Sequence, residues 1–100
     1  MIELRSDIEA DALYIALTTA GWDHTDEVED GTYVYVDVHG DPIGIEIHHP
    51  ERVWPLEEVL SRYGVSEQMA QELRAYFPQS ALLPSLAHPP DSVPVTVPAA

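Results

Sequence analysis

From Thr32 to Val38, and again from Ile43 to Ile47, apolar side chains recur at every second residue. Val34, Val36 and Val38 fall on one side of the first run, with Tyr33, Tyr35 and Asp37 on the other. In the second run Ile43, Ile45 and Ile47 alternate with Gly44, Glu46 and His48. A helix would scatter residues of this period around its axis, so both runs are predicted as strands with one aliphatic face. His39-Gly40-Asp41-Pro42 is a turn sequence that joins them as a hairpin.

The residues before Thr32 extend the pattern. Ile2 and Leu4 alternate with Glu3 and Arg5 in a short first strand, and Asp7 to Asp11 is polar enough to turn. Leu13, Ile15 and Leu17 then point one way, with Tyr14, Ala16 and Thr18 opposite. Gly21 interrupts the run. A weaker strand follows from His24 to Val28, and Asp30-Gly31 is a strong turn signal. Residues 1–49 are therefore predicted to form a small antiparallel β-meander of four or five strands.

The period changes after residue 50. Pro55 suits a first helical position. Leu56, Val59, Leu60 and Tyr63 fall at i, i+3, i+4 and i+7, and Gly64 is placed to end the helix. Ser66 can cap a second helix, in which Met69, Ala70, Leu73 and Tyr76 or Phe77 align. An αα-hairpin over residues 50–77, covering one face of the sheet, gives a two-layer α+β domain spanning 1–77. Residues 78–100 hold six of the nine prolines and are predicted to be an extended, Pro-rich tail. Its apolar segments, Ala81-Leu82-Leu83 and Val93 to Val97, suit a groove or a strand edge.

Eighteen acidic residues face four basic ones, all arginine, for a formal net charge of −14. That balance disfavours direct contact with a phosphate backbone or an anionic membrane surface. Twelve of the acids lie in residues 1–49, so the negative field belongs to the sheet. The absence of cysteine excludes disulfides, thiolate metal sites and thiol nucleophiles. With no secretory pattern and no apolar run longer than Ala12 to Leu17, the expected location is the cytoplasm.

The run Asp7-Ile8-Glu9-Ala10-Asp11-Ala12-Leu13-Tyr14-Ile15 resembles the opening of the YuzE-like family, small bacterial proteins that begin D-x-E-A-D-A-L-Y-I. Asp37, Gly40 and Gly44-Ile45-Glu46-Ile47 are similar to the family's second half. Ser6 departs from the pattern, standing where members usually carry tyrosine. The resemblance covers roughly residues 1–49 and implies a small meander with helices. It supplies no catalytic residue, since the family is of unknown function. The size and genome setting of its members resemble those of small proteins paired with toxins, which implies a binding role.

No catalytic arrangement emerges from the residues. None of the serines lies in a G-x-S-x-G elbow, and a domain of about 77 residues has little room for a substrate cleft beside its core. An enzyme is not expected, and no cofactor is implied. A calcium loop begun at Asp26 would place Val28 at the third position and Asp37 at the twelfth, which fails the ligand pattern. Glu46, His48 and His49 are the weak candidates for a metal. Val59 to Ser66 has the form of a helix-turn-helix, but its second helix offers Glu67 and Glu72 and no cation before Arg74.

Partner-binding candidates are Tyr14, Tyr33, Tyr35, Asp37 and Glu46 on the sheet face away from the helices, with Leu82 and Leu83 from the tail. The expected function is that of a non-catalytic acidic interaction module, antitoxin-like or inhibitor-like, for a basic, toxin-like or nuclease-like protein. Pairing with a second copy through the tyrosine face is the other partner expectation. The alternatives are ligand or metal binding through Glu46, His48 and His49, and DNA-binding autoregulation through the helical hairpin.

Overall fold

A computed structural model describes residues 2–82. Five strands, β1 (Glu3–Asp7), β2 (Ala12–Ala16), β3 (His24–Glu29), β4 (Thr32–Val36) and β5 (Pro42–His48), precede three helices, α1 (Leu56–Arg62), α2 (Glu67–Tyr76) and α3 (Pro78–Leu82). The strands form one antiparallel sheet with the helices on one face, an α+β fold.

Strand order is β1-β2-β5-β4-β3, which corrects the sequential order of a meander. Burial explains the difference. β5 carries Ile43, Ile45 and Ile47, all buried, whereas β3 presents polar His24 and Asp26 toward the helix side and is largely exposed. The apolar strand therefore takes the centre, and the acidic one takes an edge, where charge discourages further strand pairing. The chain reaches that edge by crossing past the ends of β5 and β4, with residues 18–23 exposed. Leu17 N–H donates to Ile43 C=O (2.9 Å) and Asp23 N–H to Val36 C=O (2.8 Å) along this crossing. Strands β2 to β5 thus form a Greek key.

Register decides what faces the helices. Leu4, Ile15, Ile45, Val34 and Asp26 stand opposite one another across the five strands, and Ser6, Leu13, Ile47 and Thr32 form the adjoining row. Trp54, Leu56, Val59, Leu60, Ala70 and Leu73 close over these rows to complete the core. Trp54 packs edge-on against Phe77 at 5.2 Å, and its backbone N–H donates to the buried Ser80 Oγ (3.1 Å). Pro78–Leu82 is helical, with Ser80 buried against Trp54, so this segment belongs to the domain and not to an extended tail. Proline is tolerated there because it opens the helix, where its missing N–H is not required.

Two helix boundaries follow from local chemistry. Ser66 Oγ accepts from Met69 N–H (3.3 Å) at the start of α2, and Gly64 adopts φ +61° between the helices. Pro55 precedes α1 as its cap residue, one position earlier than expected. β4 also ends earlier than its alternation suggests. Asp37 Oδ1 accepts from the N–H groups of His39 and Asp41 (both 2.9 Å), which turns the chain and leaves Val38 73% exposed.

Thr32 is a polar residue with no exposure in the helix-facing layer. Its hydroxyl donates to Glu29 Oε2 (3.2 Å) and accepts from Arg52 Nη2 (2.9 Å). Arg52 also binds Glu29 Oε2 (2.6 Å) and His48 C=O (3.0 Å), so one guanidinium ties the β3–β4 turn to the end of β5. Replacing Arg52 with alanine leaves a buried hydroxyl short of a partner and is expected to cost about 1–3 kcal/mol, measurable by urea unfolding. A second check is acid. Arg74 donates to both Glu57 oxygens (2.8 and 2.9 Å) and holds that carboxyl below its usual range. Because the folded value is the lower one, this contribution is complete above the ordinary glutamate range and disappears as pH falls through the folded value. Thermal unfolding followed against pH should lose this component of its acid slope in Arg74→Gln.

Candidate functional site

The other face of the sheet has no helical layer among the described residues. Arg5, Tyr14, Glu46, Tyr33 and Glu27 stand in register across all five strands, and Glu3, Ala16, Gly44, Tyr35 and Thr25 form the next row. Tyrosines and charges therefore alternate across an open surface. The alternation along each strand produces this directly, since the residues between buried aliphatics must point the other way.

Gly44 organises the rings. A Cβ at this position would overlap the Tyr14 ring, hydroxyl included, so only glycine lets that ring lie across β5. Tyr14 meets Tyr35 edge-on, with centroids 5.4 Å apart and an interplanar angle of 89°. Tyr33 sits beside the His48 ring at 5.3 Å. Glu46 joins the two pairs: Tyr35 Oη–H donates to Oε1 (2.5 Å), and His48 Nε2 lies 3.1 Å from Oε2. The hydrogen bond to that carboxylate, reinforced by partial burial and by the negative charge, pushes the Tyr35 hydroxyl up to about 12. Burial raises Tyr14 as well, with the nearby Arg5 charge opposing the shift.

Arg5 completes one side. Its guanidinium carbon lies 5.9 Å from the Tyr14 ring centre, and Nη2 is 3.1 Å from Glu3 Oε1. Between β1 and the tyrosines is a depression of about 300 Å³, bordered by Arg5, Asp7, Ala12, Tyr14, Tyr35 and Glu46. It is open to solvent and combines two aromatic rings with carboxylates and a single guanidinium. Such a surface can stack planar groups and pair with cations.

Tyr14, Tyr33, Tyr35 and Glu46 are thus together, as their spacing suggests, but other expected members are elsewhere. Asp37 is buried and binds the N–H groups of its own turn. The backbone of Leu82 ends α3; its side chain and the whole of Leu83 lie outside the described residues. The proposed Glu46–His48–His49 group separates, because neighbouring residues of a strand point to opposite faces and His49 has already left β5. His49 Nδ1 is 2.6 Å from Asp11 Oδ2, and both residues have positive φ (57° and 49°). With Glu51 they bring three donor atoms within 4.8 Å of one another, all on exposed side chains. Among the described residues, this trio is where a divalent ion would find the most protein ligands.

Elsewhere, Tyr63 Oη–H donates to Asp26 Oδ2 (2.8 Å) beside a second open depression, and burial with that bond pushes the hydroxyl up to about 12. Arg74, the cation on which a DNA-reading hairpin depended, is held by Glu57 on the neighbouring helix. No helix among the described residues is long and apolar enough to cross a membrane. Sequence reasoning passed over Arg5, Asp11 and Gly44 as site residues. Only the Arg5–Tyr14 pairing carried a usable signal, because the β1–β2 turn sets its register.

The Glu46–Tyr35 bond has a spectroscopic consequence. Tyr35 holds its proton more tightly when folded, so its contribution to stability is present below pH 10, the ordinary tyrosine value, and is lost as pH rises toward about 12. Following tyrosinate absorbance against pH should show Tyr35 ionising earlier in Glu46→Gln. Gly44→Ala should disrupt the Tyr14–Tyr35 pair and destabilise the fold by roughly 1–3 kcal/mol, read as a lower urea midpoint.

Residues 7–49 match the model of a protein family described as Protein of unknown function (DUF2283). No curated protein and no solved structure matches the chain. The matched span runs from the end of β1 to His49 and contains Tyr14, Tyr33, Tyr35, Gly44 and Glu46; the similarity is therefore to an uncharacterised family over the sheet.

Proposed function

We propose that the chain is a non-catalytic acidic interaction module that takes a basic protein on the open face of its sheet. The observation that carries this reading is the row Arg5–Tyr14–Glu46–Tyr33–Glu27, lying on a sheet face without a helical cover among the described residues. Tyrosine suits such contacts, since its ring buries area at little entropic cost while the hydroxyl remains hydrogen-bonded. The formal charge of −14 supplies long-range attraction for a cationic surface and opposes self-association.

Charge distribution supports the same reading. Each of the four arginines has a carboxylate within 4.0 Å: Arg5 with Glu3, Arg52 with Glu29, Arg62 with Glu58 and Arg74 with Glu57. Local pairing masks the few positive charges and leaves the acids in excess around the tyrosines. The YuzE-like resemblance of Asp7 to Ile15 agrees with an antitoxin-like or inhibitor-like role, in which a small acidic protein covers a basic toxin or nuclease.

Affinity capture from the source organism at low ionic strength tests this directly. The expected result is retention of a basic protein by the wild type, weakened by salt, with loss of retention by Tyr14→Ala/Tyr33→Ala and not by Glu58→Ala on the helical side. Equal retention by the tyrosine variant, or capture of no basic protein, would overturn the proposal.

A further inference from the structure

Arg5 is the one arginine on the open face. Arg52 closes the Thr32 turn, while Arg62 and Arg74 belong to the helices. The Arg5 guanidinium stands over the Tyr14 ring, at the rim of the depression of about 300 Å³ that Asp7, Ala12, Tyr35 and Glu46 also border. The side chain is 61% exposed and held there by Glu3, which is 65% exposed, so solvent competes with this pairing.

The groups around the depression match the chemistry of a guanidinium. Tyr14 and Tyr35 border it at right angles to each other, and the Tyr14 ring already has a guanidinium 5.9 Å from its centre. A planar, weakly hydrated cation stacks on such a ring, whereas a compact, strongly hydrated ammonium does so less well. Glu46 receives Tyr35 on Oε1 and His48 on Oε2, yet each carboxylate oxygen retains a second lone pair for an N–H donor. Asp7 adds another carboxylate at the end of β1, with one of its oxygens accepting from Ala10 N–H (3.2 Å).

We infer that this depression is a subsite for an arginine side chain of the basic partner, and that Arg5 is the internal cation that the incoming guanidinium displaces from Tyr14. The inference rests on the proposed interaction with a basic protein and names what the open face selects within it. Arginine stacks on Tyr14 and pairs with Glu46 at once; lysine pairs with the carboxylate but stacks less well.

Two peptides of equal length and charge, hexa-arginine and hexa-lysine, separate the possibilities when titrated into the full chain at low ionic strength. Hexa-arginine should bind about 3- to 30-fold more tightly than hexa-lysine. Tyr14→Leu should bring the two toward parity, and Glu46→Gln should weaken both peptides. Arg5→Ala, at an exposed position that leaves the core intact, should tighten hexa-arginine by removing its competitor. Circular dichroism and thermal unfolding establish that each variant is folded, and the wild-type and Arg5→Ala measurements decide the outcome if Tyr14→Leu is not. Equal affinities in the wild type would overturn the arginine subsite while leaving a basic partner in place. A preference that survives in folded Tyr14→Leu, or weaker binding by Arg5→Ala, would overturn its placement. Binding of neither peptide would remove both this inference and the electrostatic reading beneath it.

Discussion

Pairing of β2 with β5 and of β5 with β4 places Ile15, Ile45 and Val34 opposite one another with no solvent exposure. The other layers depend on this register. A shift of one residue would exchange the faces, driving Tyr14 and Glu46 into the helical layer and exposing the isoleucines. Each buried aliphatic contributes about 1.5–3 kcal/mol relative to exposure, so the shifted arrangement is not competitive. The helices then have a defined surface to cover, and Trp54, Leu56 and Leu73 fill it.

The same constraint creates the open face. Because side chains alternate strictly, burying the isoleucines leaves Tyr14, Tyr33, Tyr35, Glu46 and His48 on the opposite side. Their arrangement there is not a by-product of composition alone. Gly44 makes room for Tyr14 across β5, which brings that ring to Tyr35, and Tyr35 in turn orients Glu46. A glycine at the middle of a central strand loses packing on its own account, and here the tyrosine covers it.

Much of the fold was legible in local patterns. The period-two runs located β2, β4 and β5, while the Ser66 cap and the Leu56–Val59–Leu60 stripe located α1 and α2. Features set by contacts distant in sequence were not legible. Val38 continues the alternation of β4, but the Asp37 side chain ends the strand by binding two backbone N–H groups of its turn. His49 follows His48 in sequence, yet its ring is beside Asp11, 38 residues earlier. The five residues from Pro78 looked extended because of their proline, and packing of Phe77 and Ser80 against Trp54 makes them part of the domain.

By itself the sequence determined the element types as far as Phe77, the identity of the two sheet faces and the strong negative charge, because these depend on neighbours a few residues apart and on simple counts. Tertiary structure alone decided strand order, the position of Arg5 over Tyr14, the Glu46 hydrogen bonds and the arginine clasp on Thr32. The physical reason is that burial is settled for the whole sheet at once. β5 reaches the centre because its isoleucines have most to gain from both neighbours, and the open face inherits its arrangement from that choice.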